Sequence, residues 1–263
     1  MLLVFSLIIF CFGAIIGSFL NCLAYRLKAG KSFLLGRSFC PHCRHQLGCL
    51  DLIPIVSFFL LLRKCRYCRQ EISWQYPLVE VTTGLLFLFI FNFYFFGFNY
   101  QNIIHFVYLL VIASLLEVIF IYDFKYSLIP NLVVYSAIAT VFLYRIFEAL
   151  VSGLWPGFVA ALAAAILAGG LFFLIWLVSK GQWMGFGDVK LAFFMGIFLS
   201  WPAVLTALFF AFLIGAIIGL ILMVAKKKGL KSEVPFGPFL VIGTFVAFIW
   251  GEAILSWYLH FLS

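Results

Sequence analysis

The sequence predicts an all-α polytopic membrane protein of about eight transmembrane helices, with a small cytoplasmic zinc-ribbon-like module between the first and second spans. Three observations predict it. Only 10% of the 263 residues are charged and 66% are hydrophobic, whereas a soluble domain needs about a quarter charged to keep its surface in water. Apolar runs recur at the length a helix needs to cross hydrocarbon, about 20 residues. Four of the seven cysteines stand in two Cys-x2-Cys pairs inside the one long polar stretch. The first observation excludes a soluble enzyme, a secreted disulfide scaffold and a disordered tail. The net charge of +8 is then a topology signal, because Lys and Arg gather on the cytoplasmic side of a membrane. It points to membrane lipids as partners and not to nucleic acid.

Residues 2–25 are read as a retained first span, because no charged side chain or basic n-region precedes Arg26 and the run is too long for a cleavable signal. Residues 26–76 carry nine basic residues (Arg26, Lys28, Lys31, Arg37, Arg44, Arg63, Lys64, Arg66, Arg69) against Asp51 and Glu71. That imbalance places the segment in the cytoplasm and the N-terminus outside. Inside it, residues 53–62 are apolar but too few to cross, which fits a packed or interfacial segment. Further spans are expected at 78–98, 103–122, 128–144, 157–178, 203–225 and 236–259.

The run 189–199 has only 11 residues, and at 1.5 Å per residue it cannot cross alone. Counting it as a short sixth span puts Lys125, Lys180, Lys190 and the cluster Lys226, Lys227, Lys228, Lys231 on the cytoplasmic side. Of the 17 basic residues only Arg145 then falls outside. Eight spans are therefore expected, the sixth short or broken at its cytoplasmic end, with the preceding loop dipping into the membrane. The chain is expected to divide into a first span (1–25), a cytoplasmic module (26–76) and a membrane bundle (77–263).

Cys40-Pro41-His42-Cys43 and Cys65-Arg66-Tyr67-Cys68 are separated by 21 residues, close to zinc-ribbon spacing. Four thiolates of this kind complete a tetrahedral structural Zn2+ site, and so short an insert needs one to fold firmly. The plainer alternative is four free thiols. Cys49, His42 and His45 are spare ligands that the four-cysteine set does not need. Cys11 and Cys22 sit in an apolar span and are expected to pack there.

Nine acidic residues remain, and a carboxylate at membrane depth costs several kcal/mol unless paired, protonated or facing water. Glu80, Glu117 and Glu252 lie within spans. Asp123 ends the third span, and Asp188 stands in Gly185-Phe186-Gly187-Asp188 at the mouth of the short sixth. Both aspartates then share the cytoplasmic boundary and can converge on one site. An aspartate pair sharing a proton supplies the base and the acid of an aspartic protease. Glycines beside Asp188 allow close backbone approach, and Ile129-Pro130-Asn131 breaks the helix after Asp123. The alternative is that both are solvated boundary carboxylates neutralised by Lys125 and Lys190.

These residues resemble the type IV prepilin leader peptidases, the GxGD aspartic proteases of bacterial plasma membranes that mature pilins and pseudopilins. The matching stretches are Gly17-Ser18-Phe19-Leu20-Asn21 with Tyr25-Arg26-Leu27, the two cysteine pairs, Tyr76-Pro77-Leu78-Val79-Glu80, Asp123 with Ile129-Pro130-Asn131, Gly185-Phe186-Gly187-Asp188-Val189-Lys190, and Pro235-Phe236-Gly237-Pro238-Phe239. The resemblance implies Asp123 and Asp188 as the catalytic pair, with Gly185, Gly187, Lys190, Pro130, Asn131 and Glu80 as supporting motif. It implies a basic leader cut at the cytoplasmic face, after Gly and usually before Phe. It also implies N-methylation of the new N-terminus with S-adenosylmethionine by the cysteine-containing module. The chain departs from the family's pattern at Asp51-Leu52-Ile53-Pro54, where Asn often precedes Ile-Pro, and at Arg63-Lys64-Cys65, where Gly often stands. No glycine-rich strand-to-helix loop marks an adenosylmethionine site.

Two other readings compete. A membrane carrier or ion channel would use Glu80, Glu117 and Glu252 as a relay, but the two best-placed aspartates share one face and no inverted repeat is visible. A non-catalytic scaffold explains the cysteines and leaves residues 185–190 unexplained.

Overall fold

The computed structural model describes residues 2–30, 32, 36–95, 97, 99–225 and 234–262. Among them the regular elements are helical: α1 (Leu2–Lys28), α2 (Val56–Leu60), α3 (Gln75–Tyr94), α4 (Tyr100–Tyr126), α5 (Asn131–Ser152), α6 (Trp155–Val178), α7 (Phe186–Leu199), α8 (Ala203–Val224) and α9 (Gly237–Leu262), with a 3-10 turn at Cys49–Leu52. Two isolated antiparallel bridges, Phe39 with Gln46 and Lys64 with Glu71, are the described extended pairings.

Seven of these helices, α1, α3, α4, α5, α6, α8 and α9, are long and apolar enough to cross a membrane. They coincide with the seven long apolar runs of the sequence. The expected eighth element, α7, has 14 residues, about 21 Å against about 30 Å of hydrocarbon. It begins at Phe186, ahead of the apolar run, because Gly185 in extended conformation (φ −75°, ψ 150°) caps it and Asp188 falls in its first turn. The expectations for Lys31 and for Lys226, Lys227, Lys228 and Lys231 lie outside the described residues.

The chain forms two compact units, Met1–Val118 and Ile119–Ser263. In the first, α1 packs on α3 through small residues. A Cβ on Gly13 would lie 2.8 Å from Gly84 Cα, and one on Gly17 would lie 2.9 Å from Glu80 Cα. Gly13 and Gly17 are one helical turn apart, so the two backbones touch along a small-xxx-small seam; in lipid, where apolar side chains gain nothing by leaving water, such close packing holds helices together. Asn21 ties the end of the seam, donating to Tyr76 O at 3.3 Å and accepting from Gln75 Nε2 at 3.1 Å.

In the second unit, α5, α6, α8 and α9 all pack on α7. Leu191, Phe194, Met195 and Ile197 of α7 are completely enclosed. Gly196 lies directly on the Ala164 and Ala165 backbone of α6, and Gly169 of α6 sits under Phe193, a Cβ there standing 3.0 Å from Phe193 Cβ. Arg145 of α5 ends α7 from the side: its guanidinium donates to Phe198 O at 2.7 Å and to Ile197 O at 3.3 Å. These are carbonyls a helix terminus leaves without an intrahelical partner. The single basic residue that runs against the charge topology is therefore a helix cap.

Candidate active site and candidate metal centre

Asp123 sits on the last turns of α4 and is buried. Its Oδ2 accepts the backbone N–H of Gly237, the first residue of α9, at 2.9 Å. A helix N-terminus presents unpaired N–H groups and a partial positive charge, so a carboxylate is a natural partner for it. Glycine is needed at this contact, because a Cβ at position 237 would stand 2.5 Å from that oxygen.

Asp188 occupies the first turn of α7 and is also buried. Its neighbour Gly187 lies against Ile129, with 2.8 Å from a built Cβ to Ile129 Cβ; the same isoleucine stands 3.3 Å from a Cβ on Gly237. Ile129 thus wedges between the starts of α7 and α9 and brings both aspartates around one point. Asp188 lies within Coulombic range of Asp123.

Pro130, extended at φ −71° and ψ 121°, caps α5, and its carbonyl accepts the N–H groups of Val133 and Val134 at 3.1 Å each. Asn131 then accepts from Lys190 Nζ at 2.6 Å. Lys190 also lies over the rings of Tyr135 at 4.9 Å and Phe186 at 5.0 Å, and Lys125 lies over Tyr126 at 5.6 Å. Neither lysine forms a described ion pair with Asp123 or Asp188; the described ion pairs are Arg63–Glu71, Arg66–Asp51 and Arg145–Glu148. The neutralised-boundary alternative thus finds no such pair among the described residues.

The other span carboxylates are satisfied locally. Glu80 accepts the Ile55 N–H at 2.6 Å. Glu117 is bonded by the Thr82 and Thr83 hydroxyls at 2.6 and 2.7 Å. Glu252 is exposed on α9.

In the first unit, one ligand sulfur from each of Cys40, Cys43, Cys65 and Cys68 lies within 4.8 Å of the others, and Cys40 and Cys65 are buried. Cys40 Sγ and Cys68 Sγ are 3.9 Å apart; tetrahedral Zn–S bonds of about 2.3 Å place sulfurs about 3.8 Å apart. The set therefore fits a metal ion by donor chemistry and by spacing. Both halves use one turn design: Arg44 N–H donates to Cys40 O at 2.9 Å and Arg69 N–H to Cys65 O at 3.0 Å, and both arginines are left-handed at φ 59°. Burial raises the Cys65 thiol, but the N–H groups of Cys68 and Tyr67 outweigh it and bring Cys65 down to about 7. His45 is not among the clustered ligands; its ring lies tilted against Tyr67 with centroids 3.6 Å apart.

Asp51, where the sequence departs from the family's pattern, joins the two halves. It accepts from Arg66 Nε at 2.7 Å and from Gly48 N–H at 3.1 Å. Partial burial raises its carboxyl, yet Arg66, Gly48 and Tyr67 together hold it below the usual carboxylate range. Sequence reasoning found the aspartates and the cysteines but missed Gly237 N–H and Ile129 as their fittings. Gly237 lies 114 residues from Asp123, and only its place in Pro235-Phe236-Gly237-Pro238 marked it.

Residues 11–94 match the Bacterial Peptidase A24 N-terminal domain, and residues 110–220 match the Type IV leader peptidase family. A protein of Stutzerimonas stutzeri named prepilin leader peptidase/N-methyltransferase is 31% identical over 98% of this chain and 95% of its own. One of the same name from Bacillus subtilis is 31% identical over 96% of this chain and 97% of its own, and one from Aeromonas hydrophila is 29% identical over 98% and 94%. No solved structure matches the chain.

Proposed function

Because the chain belongs to the type IV leader peptidase family, we propose that it is a membrane aspartic endopeptidase that removes the basic leader of type IV prepilins and pseudopilins. Cleavage falls after Gly, usually before Phe, at the cytoplasmic face of a bacterial plasma membrane, with the N-terminus outside. Residues 77–263 form the peptidase part, and residues 26–76 the module associated with N-methylation.

Asp123 and Asp188 are the catalytic pair. Asp123, which accepts the Gly237 N–H, suits the ionised role, and Asp188 the protonated one. The carboxylate takes a proton from water as the oxygen attacks the scissile carbonyl carbon, and the carboxylic acid gives its proton to the carbonyl oxygen. The tetrahedral intermediate collapses with a proton passing to the leaving amine and the C–N bond breaking. Gly187 lets Ile129 close on the start of α7, and Gly185 caps α7 beside the Asp188 carboxyl. Lys190, Asn131 and Pro130 fix the start of α7 against the start of α5, and Glu80 secures the loop at Ile55.

Cys40, Cys43, Cys65 and Cys68 would hold one structural Zn2+, which supplies folding energy and no reaction step. S-adenosylmethionine, as methyl donor, would supply the group placed on the new N-terminus. Gly13, Gly17 and Gly84 serve helix contact, and the described residues of this unit contain no glycine-rich strand-to-helix loop.

The observation that carries the proteolytic reading is the convergence of two buried aspartates on Ile129, with no lysine partner among the described residues. Cleavage of a prepilin in proteoliposomes tests it: Asp123→Asn and Asp188→Asn should each abolish processing while the protein stays folded in the membrane. Near-normal cleavage by either variant overturns the pair. A carrier or scaffold processes no leader at all.

A further inference from the structure

The extramembrane segment carries an apolar surface that neither the cysteines nor the aspartates use. Leu50, Ile53, Val56, Phe59, Leu60 and Leu62 are all exposed, Leu60 by 77% and Leu62 by 81%. Patches of this kind in a water-facing module mark an interaction site. Three observations identify the occupant.

The first is depth. Ile55, which precedes α2, donates to Glu80, the sixth residue of α3, a point about 7 Å along that span from its start. Ile55 makes this contact from a tight turn in which Val56 N–H donates to Pro54 O, at a positive φ of 64° where a β-branched residue is seldom found. The start of α2 therefore lies beside the opening turns of a membrane helix, and its later residues meet Trp74 at that helix's entry. The second is Trp74, the residue before α3. Its ring is 5.0 Å from Phe58 and 6.4 Å from Phe59, and tryptophan at a span end sits at headgroup level. The third is charge. Residues 26–76 leave one span and enter the next with nine basic and two acidic residues. Arg63 and Lys64 directly follow the leucines.

We propose that α2 and its flanking leucines are an interfacial anchor. Their apolar side chains rest in the headgroup–acyl boundary of an anionic bilayer, with Arg63 and Lys64 among the headgroups, so the cysteine module is seated on the membrane. A soluble protein partner would have to reach a face that lies at lipid depth. The proposal stands on the membrane reading alone and is independent of the peptidase chemistry.

The test uses the full chain in nanodiscs of phosphatidylcholine and phosphatidylglycerol. An environment-sensitive fluorescent amino acid is placed at position 60, at position 62 or, as a water-facing control, at position 70. Lipids brominated high on the acyl chain should quench probes 60 and 62 strongly and probe 70 weakly, and aqueous iodide should show the reverse order. Iodide quenching at 60 and 62 equal to that at 70 overturns the anchor in favour of a solvated face. Protection from both quenchers overturns it in favour of a protein cover. Omitting phosphatidylglycerol should lower the lipid quenching at 62; unchanged quenching overturns the role given to Arg63 and Lys64.

Discussion

A methyl group at position 237 would stand 2.5 Å from Asp123 Oδ2 and 3.3 Å from Ile129 Cδ1. Gly237→Ala should therefore push the carboxylate off its N–H donor and cost about 10²-fold in turnover, as misplacements near 1 Å do. Because Gly237 positions a reacting group and does not bind the leader, the loss should fall on kcat with KM little changed. Single-turnover cleavage separates the two, and an unchanged kcat would remove Gly237 from the site. Lys190 offers a second test. Its ammonium donates to Asn131 at 2.6 Å, so Lys190→Met and Asn131→Ala break the same link. Their effects on cleavage should be clearly less than additive in a double-mutant cycle. Full additivity would mean that Lys190 acts elsewhere.

At the scale of the element, glycine decides which helices can touch. Gly196→Val forces a branched side chain into the α6 backbone, and Gly17→Leu separates α1 from α3. Each should destabilise by about 1–3 kcal/mol, the range for overpacked sites, read as a lower thermal midpoint of the detergent-solubilised protein. The same substitution at Gly170, whose Cβ would meet nothing within 4 Å, should be nearly silent. The spans themselves were legible because a run of about 20 apolar residues has few alternatives in a membrane protein. The start of α7 was not: Asp188 read as the mouth of a run beginning at 189, and only the fold makes Gly185 the cap and Asp188 part of the first turn. The two aspartates were legible by motif and topology. The Ile129 wedge was not, since nothing local sets an isoleucine between two glycines from distant helices. The role of Arg145, the one exception in the charge count, was not legible for a related reason, as its partners are carbonyls of another helix.

Across the whole molecule the four cysteines and the two aspartates stand on separate units, and their sensitivities should differ. Removing the metal with a chelator, or replacing Cys40, Cys43, Cys65 or Cys68 with Ser, should release about one zinc per chain and loosen residues 39–72 in hydrogen exchange, while prepilin cleavage persists. Acid acts in the same direction. Protons compete with the metal for all four thiolates, so zinc retention should fall as the pH is lowered. Finding no zinc in reduced, chelator-free protein would leave the four residues as free thiols. The short α7 has a different reach. At about 21 Å it falls about 9 Å short of the hydrocarbon thickness, yet Leu191, Phe194, Met195 and Ile197 meet no lipid. The exposed apolar side chains instead include Leu167 and Leu171 of α6 and Phe209 of α8, on helices of 24 and 22 residues. The bilayer therefore cannot sense the shortfall or thin to relieve it. Cleavage rates should stay nearly level as the acyl chains of the host lipid are lengthened, which lets one enzyme serve membranes of different thickness.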